Sequence, residues 1–203
     1  MGLSYDSPIV LYEGYIMKKI RLYTVKREYI DYLSQFDNNI MHSDGENYKS
    51  ERKYIGIVLS IGEYNYFAPL SSPKDSDYFY KNGKKHIRKS IVPIIRLITQ
   101  EGILLSKVKL CSMIPVPSDC LTLYDYDNER DIKYKTLIAK EIICLRKQKD
   151  LIFKNAQILY NQKNNNYEGI NYLKSTVNFI LAEKYCSKYK FSKSTWFFEN
   201  NGL

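Results

Sequence analysis

The chain is poor in the residues that most often hold metals and move protons. It has two histidines, His42 and His86, and both sit in polar stretches that read as loops. No HExxH motif, carboxylate cluster or aspartate-rich strand end supplies a metal site. There is no GxxxxGK[ST] loop for a nucleoside triphosphate and no GxSxG elbow of a hydrolase. The expectation is therefore no metal and no cofactor. The four cysteines, Cys111, Cys120, Cys144 and Cys186, form no CxxC pair and match no zinc spacing, so they read as reduced thiols. No apolar run reaches the roughly 18–20 residues that span a bilayer, and no signal-peptide pattern opens the chain. A soluble, cytoplasmic protein without membrane contact is expected. Acidic residues are also short: 22 Asp and Glu face 31 Lys and Arg, for a net charge of +9. A surplus of that size suits a polyanion, either nucleic acid or an anionic membrane surface. A low-GC genome, which enriches Lys, Asn, Ile and Tyr, would produce the same skew.

What is present fits one domain of ordinary size with appendages. Of 203 residues, 44% are hydrophobic and 20 are Tyr, a residue that packs its ring while its hydroxyl stays wet. Residues 1–19 look like an N-terminal extension, 20–186 like the folded domain, and 187–203 like an aromatic C-terminal tail with Trp196-Phe197-Phe198. Ile20 to Val25 alternates as a strand does, and Thr24 is placed to cap a helix bearing Tyr29, Leu33 and Phe36 on one face. Residues 41–52 read as an exposed loop. Tyr54 to Ile61 is nearly all apolar and β-branched, the pattern of a central strand. A turn at Gly62 to Asn65 joins it to a second arm, Tyr66 to Leu70, and Ser71-Ser72-Pro73-Lys74 leaves that arm as a loop. Further strands are expected over Ile91 to Ile98 and Lys109 to Val116. Asp131 to about Gln162 is helical by period, with Leu137, Ile138, Ile142, Leu145, Ile152, Ala156 and Leu159 on its apolar face. Its polar patch Lys147 to Asp150 marks a bend or an exposed turn. A last helix is expected over Ile170 to Tyr185, with Leu173, Val177, Ile180 and Leu181 inward. The order of elements is that of an α+β fold: a strongly bent antiparallel β-sheet surrounded by α-helices, one of them long and in the C-terminal half.

With metals and histidine pairs set aside, Ser, Tyr, Lys and Arg remain. That set can cleave RNA, because RNA supplies its own nucleophile, the 2′-OH. The protein has to hold the attack in line, stabilise charge on phosphorus and move two protons. Ser71-Ser72-Pro73-Lys74 offers two hydroxyls and an ammonium just past a rigid strand, and Pro73 holds Ser72 extended. By itself this is also an ordinary polar turn. Residues 78–99 hold Lys81, Lys84, Lys85, Arg88, Lys89 and Arg96 and no acid, the composition of an RNA-backbone track or of a solvated charged loop. Tyr64, Tyr66, Tyr78 and Tyr80 are candidates to stack bases.

Several segments together resemble the ToxN/AbiQ family of type III toxin–antitoxin endoribonucleases. They are Leu22-Tyr23-Thr24-Val25, Tyr29-Ile30-Asp31-Tyr32-Leu33, Phe36-Asp37 and, most sharply, Tyr54 to Leu59 followed by Phe67-Ala68-Pro69-Leu70-Ser71-Ser72-Pro73-Lys74. Ser112 to Val116, Tyr134-Lys135 and Asn178 to Tyr185 extend the likeness to roughly residues 20–186. The resemblance implies a compact single domain of Kid/MazF-like architecture and metal-independent cleavage to 2′,3′-cyclic phosphate and 5′-OH ends. It implies as partners a structured, tandem-repeat RNA antitoxin that the toxin processes and that inhibits it in a closed assembly, and cellular or phage RNA as substrate. The role implied is phage defence by abortive infection. Residue by residue, Ser72 and Lys74 match the family's serine and lysine, and Ser71 keeps the hydroxyl of a common threonine. Tyr48 stands where the family places a functional tyrosine. Arg52 replaces a frequent lysine, which keeps the charge but suits phosphate binding better than proton transfer. Lys53 joins Lys81, Lys84, Lys85, Arg88 and Lys89 as the candidate RNA-binding set. The rival reading is an RNA-binding module without catalysis.

Overall fold

The computed structural model describes residues 20–41 and 52–200; for residues 57, 58 and 190–200 it describes the backbone alone. Tyr48 and His42 lie outside the described residues. Strand β1 (Leu22–Val25) leads into helix α1 (Arg27–Ser34). A hairpin of β2 (Tyr54–Ile61) and β3 (Tyr64–Ser71) follows, then a small hairpin of β4 (Tyr78–Lys81) and β5 (Lys84–Ile87). Strands β6 (Ile94–Ile98), β7 (Leu104–Lys109), β8 (Ile114–Pro115) and β9 (Leu121–Leu123) complete the β part. Helices α2 (Ile132–Lys147), α3 (Lys149–Asn164) and α4 (Phe179–Asn200) close the chain.

The main sheet has seven strands, all antiparallel, in the order β6-β7-β3-β2-β1-β9, with β8 also on β3. Strand β3 is the shared spine. Along Tyr64 to Pro69 it pairs with β2; Tyr66 and Phe67 pair with β8 on the other edge; Leu70 and Ser71 pair with β7. One strand thus serves three partners, and its last residues sit where the two halves of the sheet meet. Gly62, at a left-handed φ of 55°, makes the tight β2–β3 turn that keeps this register. Gly56 in β2 has a different reason. A Cβ there would collide with the ring of Tyr23, which lies across it and meets Phe67 edge-on at 5.5 Å.

The core is made of the inward faces of this sheet and of the helices. Tyr29, Ile30 and Leu33 of α1, Tyr66, Phe67 and Ala68 of β3, Ile138 and Leu145 of α2, and Ile152, Ala156 and Leu159 of α3 are all buried. The apolar face expected over 131–162 therefore exists, but on two helices. The bend expected at Lys147 to Asp150 is a full break at Gln148, whose side chain donates to the Arg96 carbonyl at 3.2 Å.

Four expectations about elements are corrected. Thr24 is not a cap: it pairs with Thr122 inside the β1–β9 ladder, and α1 begins after Lys26 without a side-chain cap. The strand expected over Lys109 to Val116 lies earlier, at Leu104–Lys109. Past it the chain turns through Leu110–Ser112, and Ile114–Pro115 then pairs with β3, the Val116 N–H adding a bond to the Asn65 carbonyl at 3.1 Å. The basic stretch after Asp77 is a hairpin, not a loop. The last helix begins at Phe179, since the Val177 N–H is committed to the Cys111 carbonyl and Asn178 caps Leu181 with its side chain. It then runs on to Asn200, so residues 187–200 are helical and Ile180 faces solvent.

Candidate active site

Antiparallel pairing places the candidate residues at one end of the sheet. Tyr54 faces Pro69 and Ile55 faces Ala68, and Leu70 N–H donates to the Lys53 carbonyl at 2.8 Å. Continuing that register sets Arg52 opposite Ser71. The Arg52 guanidinium is buried and donates to the Leu70 carbonyl at 3.2 Å. Ser71 is the last residue of β3; it is buried and faces Lys107 across the β3–β7 ladder. Ser72 and Lys74 follow at once and are both exposed. Two strands therefore fix the backbone that projects Ser72, while its hydroxyl stays open to a ligand.

The loop is anchored by a residue that the sequence reading did not single out. Asp77 is 1% exposed. Its carboxylate accepts from Arg96 Nε and Nη2 at 3.1 and 2.9 Å, from Lys107 Nζ, and from the Lys74 backbone N–H at 2.9 Å. The Asp77 N–H donates back to the Lys74 carbonyl at 2.9 Å. Burial by itself would raise the Asp77 carboxyl, but the donors from Lys107, the Lys74 backbone and Arg96 outweigh it and hold the group below its ordinary value. One carboxylate faces two buried cations, so the ground under Ser72 and Lys74 keeps an excess of positive charge. That field favours a phosphodiester. Arg96, met first in the basic run, is therefore part of this buried triad rather than of an exposed track. Part of the signal was present in the sequence: Arg96 interrupts an otherwise apolar strand.

The remaining candidates divide by position. Lys53 lays its ammonium 4.6 Å from the Tyr124 ring centroid. Lys81, Lys84, Lys85, Arg88 and Lys89 are all exposed on or beside the β4–β5 hairpin. The hairpin is rooted on the same loop, because Arg88 N–H donates to the Asp77 carbonyl at 2.9 Å and Arg88 Nε to the Ser76 carbonyl at 3.1 Å. Its turn is Asn82-Gly83, both at left-handed φ; that Asn-Gly pair directly after the aromatic arm Tyr78-Phe79-Tyr80-Lys81 is the hairpin signature. Tyr66 cannot stack a base: it is fully buried and donates to Glu183 at 2.6 Å, as Tyr160 does at 2.9 Å. Burial, with that bond to the carboxylate, pushes the Tyr160 hydroxyl up to about 12. Tyr64 is tied to Ser187 at 2.6 Å. Among the described residues no group of three or more His, Cys, Asp or Glu is placed to hold a metal ion. Cys111, Cys120, Cys144 and Cys186 are buried and form no disulfide, and no described helix is long and apolar enough to cross a membrane.

A family model described as toxin ToxN of type III toxin–antitoxin systems matches residues 21–187. The endoribonuclease AbiQ of Lactococcus lactis subsp. lactis is 30% identical over 195 residues, covering 91% of this chain and 97% of that one. The endoribonuclease ToxN of Pectobacterium atrosepticum is 29% identical over 170 residues, covering 82% and 92%. The solved structure of a bacterial type III toxin–antitoxin system, in which a non-coding RNA pseudoknot selectively inhibits the toxin, superposes with a TM-score of 0.71. It is 23% identical and covers 85% of this chain and 99% of that one. The fold is thus that of these toxins.

Proposed function

The chain belongs to the ToxN family of type III toxin–antitoxin toxins, and on that footing we propose that it is an endoribonuclease with Ser72 and Lys74 at its reaction centre. The observation that carries this reading is the pairing of exposed groups with a buried anchor. Ser72 and Lys74 stand open to solvent on a backbone pinned by the Asp77 carboxylate. A site of that kind is pre-organised before substrate arrives. In the reaction the 2′-oxygen of one nucleotide attacks the adjacent phosphorus and the bond to the 5′-oxygen of the next breaks. One proton leaves the 2′-OH and one reaches the departing oxygen. The products are a 2′,3′-cyclic phosphate and a 5′-OH. Lys74 offsets the charge that builds on the phosphoryl oxygens, with the buried Arg52 guanidinium adding positive charge from the sheet end; Ser72 is the exposed hydroxyl that orients the phosphate, and Tyr48 and the buried Ser71 are the further hydroxyls of the set.

This chemistry needs no metal. The donor set is hydroxyl, ammonium and guanidinium, and the Asp77 carboxylate is already saturated by Arg96, Lys107 and the Lys74 N–H. Lys53 and the basic residues Lys81, Lys84, Lys85, Arg88 and Lys89 bind RNA backbone. By likeness to relatives named endoribonucleases and to a toxin inhibited by an RNA pseudoknot, the partner is a structured repeat RNA antitoxin. The toxin processes it and is held by it in a closed assembly. Cellular or phage RNA is the target in the cytoplasm, and phage defence is the outcome.

The test is incubation with RNA in EDTA, followed by mapping of the ends. Wild type should leave 2′,3′-cyclic phosphates, and Ser72→Ala or Lys74→Ala should lower the rate by about 10²–10⁴-fold. Both side chains are exposed, so the thermal midpoint should hardly move. Intact RNA with every variant would leave only an RNA-binding module.

A further inference from the structure

The β4–β5 hairpin lies outside the main sheet and carries more aromatic surface than a solvent-facing ribbon needs. Its register pairs Tyr78 with Ile87, Phe79 with His86, Tyr80 with Lys85 and Lys81 with Lys84. Directly opposed residues share a face. One face therefore holds Tyr78, Tyr80 and Lys85, with the Lys85 ammonium 3.9 Å from the Tyr78 ring centroid. The other holds Phe79 stacked on His86 at 5.3 Å, with the Arg88 guanidinium 5.8 Å from Phe79 and with Lys81 and Lys84 near the tip. Tyr80 is 71% exposed and Phe79 37%. A two-stranded ribbon is marginal in water. The Asn82-Gly83 turn and the cross-strand ring contacts give this one a defined shape, yet they leave the Tyr80 ring with a bare face.

We infer that the hairpin is a docking arm for unpaired RNA, in which a base stacks on Tyr80 while Lys81, Lys84 and Lys85 meet the neighbouring phosphates. This rests on the nuclease reading and gives it a second subsite. Three observations point to this occupant. No acid occurs from Tyr78 to Gln100, so the whole arm suits a polyanion. An exposed ring beside an ammonium is the pattern that binds single strands, whereas bases inside a duplex are already stacked on one another. The arm is also rooted at Asp77, the residue that anchors the Lys74 backbone. Tyr80 lies six residues from Lys74, at most about 20 Å along extended chain. One strand can therefore cross Ser72 and reach the arm within a few nucleotides. The arm would hold the substrate single-stranded and fix which phosphate rests at the loop.

Binding of a short oligoribonucleotide with 2′-O-methyl groups throughout tests this, because such RNA lacks the nucleophile and stays intact whether or not the protein is a nuclease. Wild-type protein should bind the single strand more tightly than the same sequence in a duplex. Tyr80→Ala should weaken single-strand binding about tenfold, and Tyr80→Phe, which keeps the stack, should restore it. Replacing Lys81, Lys84 and Lys85 together by Ala should flatten the dependence of log affinity on log salt by about 2, from roughly 0.7 per phosphate contact. Equal affinity of wild type and Tyr80→Ala, a Phe variant as weak as Ala, or a preference for duplex would each overturn the proposal. Failure of the cleavage assay with this binding intact would overturn the nuclease reading alone.

Discussion

At the residue scale two buried carboxyls stand in opposite electrostatic settings, and one of them, Asp77, anchors the candidate site. Asp77 is surrounded by donors, and its pKa is held below the ordinary aspartate value. Its contribution to stability is therefore fully present above the unfolded aspartate pKa and is lost as pH falls through the folded one. Asp77→Asn would strand Arg96 and Lys107 as buried cations, at about 3–5 kcal/mol. Urea unfolding at pH 7 should show that loss, and the gap to wild type should narrow on acidification. An unchanged midpoint at pH 7 would mean the triad is inert. Glu141 of α2 is the counter-case. It is 4% exposed, and burial raises its carboxyl above the ordinary range. The Ser106 hydroxyl beside it works in the other direction, but burial outweighs it. A raised carboxyl favours the fold below its unfolded pKa, and that advantage fades as pH climbs through the folded value. Glu141→Gln should thus melt near wild type in acid and above it at neutral and alkaline pH. A thermal-shift series in which the two curves stay parallel would contradict the assignment.

At the element scale the β2–β3 pair sets the geometry of the site, and its tightest point is Gly56. A methyl group there meets the Tyr23 ring. Gly56→Ala should cost about 1–3 kcal/mol by overpacking, and a Tyr23→Ala background should recover part of the loss, as expected for neighbours that couple. A double-mutant cycle on chemical-denaturation midpoints reads this directly; full additivity would show that the ring is not the obstacle. The strand pair was legible because Tyr54 to Leu59 is apolar without interruption and the turn holds a glycine. The β4–β5 hairpin was harder to read, because its second arm, Lys84-Lys85-His86-Ile87, has a single apolar residue and no alternation. So was the start of α4. The apolar pattern runs back through Val177 and Leu173, but Leu173 belongs to a separate 3₁₀ turn, Asn171–Ser175, and the Val177 N–H bonds the Cys111 carbonyl, which keeps that turn apart from the helix.

At the scale of the whole molecule, charge decides what the surface can hold. A net charge of +9 with an acid-free stretch on one arm predicts RNA affinity that falls steeply with salt, on a log–log slope of about −0.7 per neutralised phosphate for single strands. Titration of the uncleavable oligomer at several salt concentrations measures that slope, and a value near zero would remove the electrostatic account. The sequence by itself carried the family, since the segments Tyr54 to Leu59 and Phe67 to Lys74 resemble it and the family model matches residues 21–187. It also determined the central strand and the loop Ser72 to Lys74, because these are local patterns, while Ser71 proved to be the last residue of β3. Only the tertiary structure decided that this loop rests on Asp77, Arg96 and Lys107. Those three residues come from a loop and two strands, with Asp77 lying 19 residues from Arg96 and 30 from Lys107 along the chain. An ion pair buried across such distances leaves no periodic trace; it exists only where folding removes all three groups from water together.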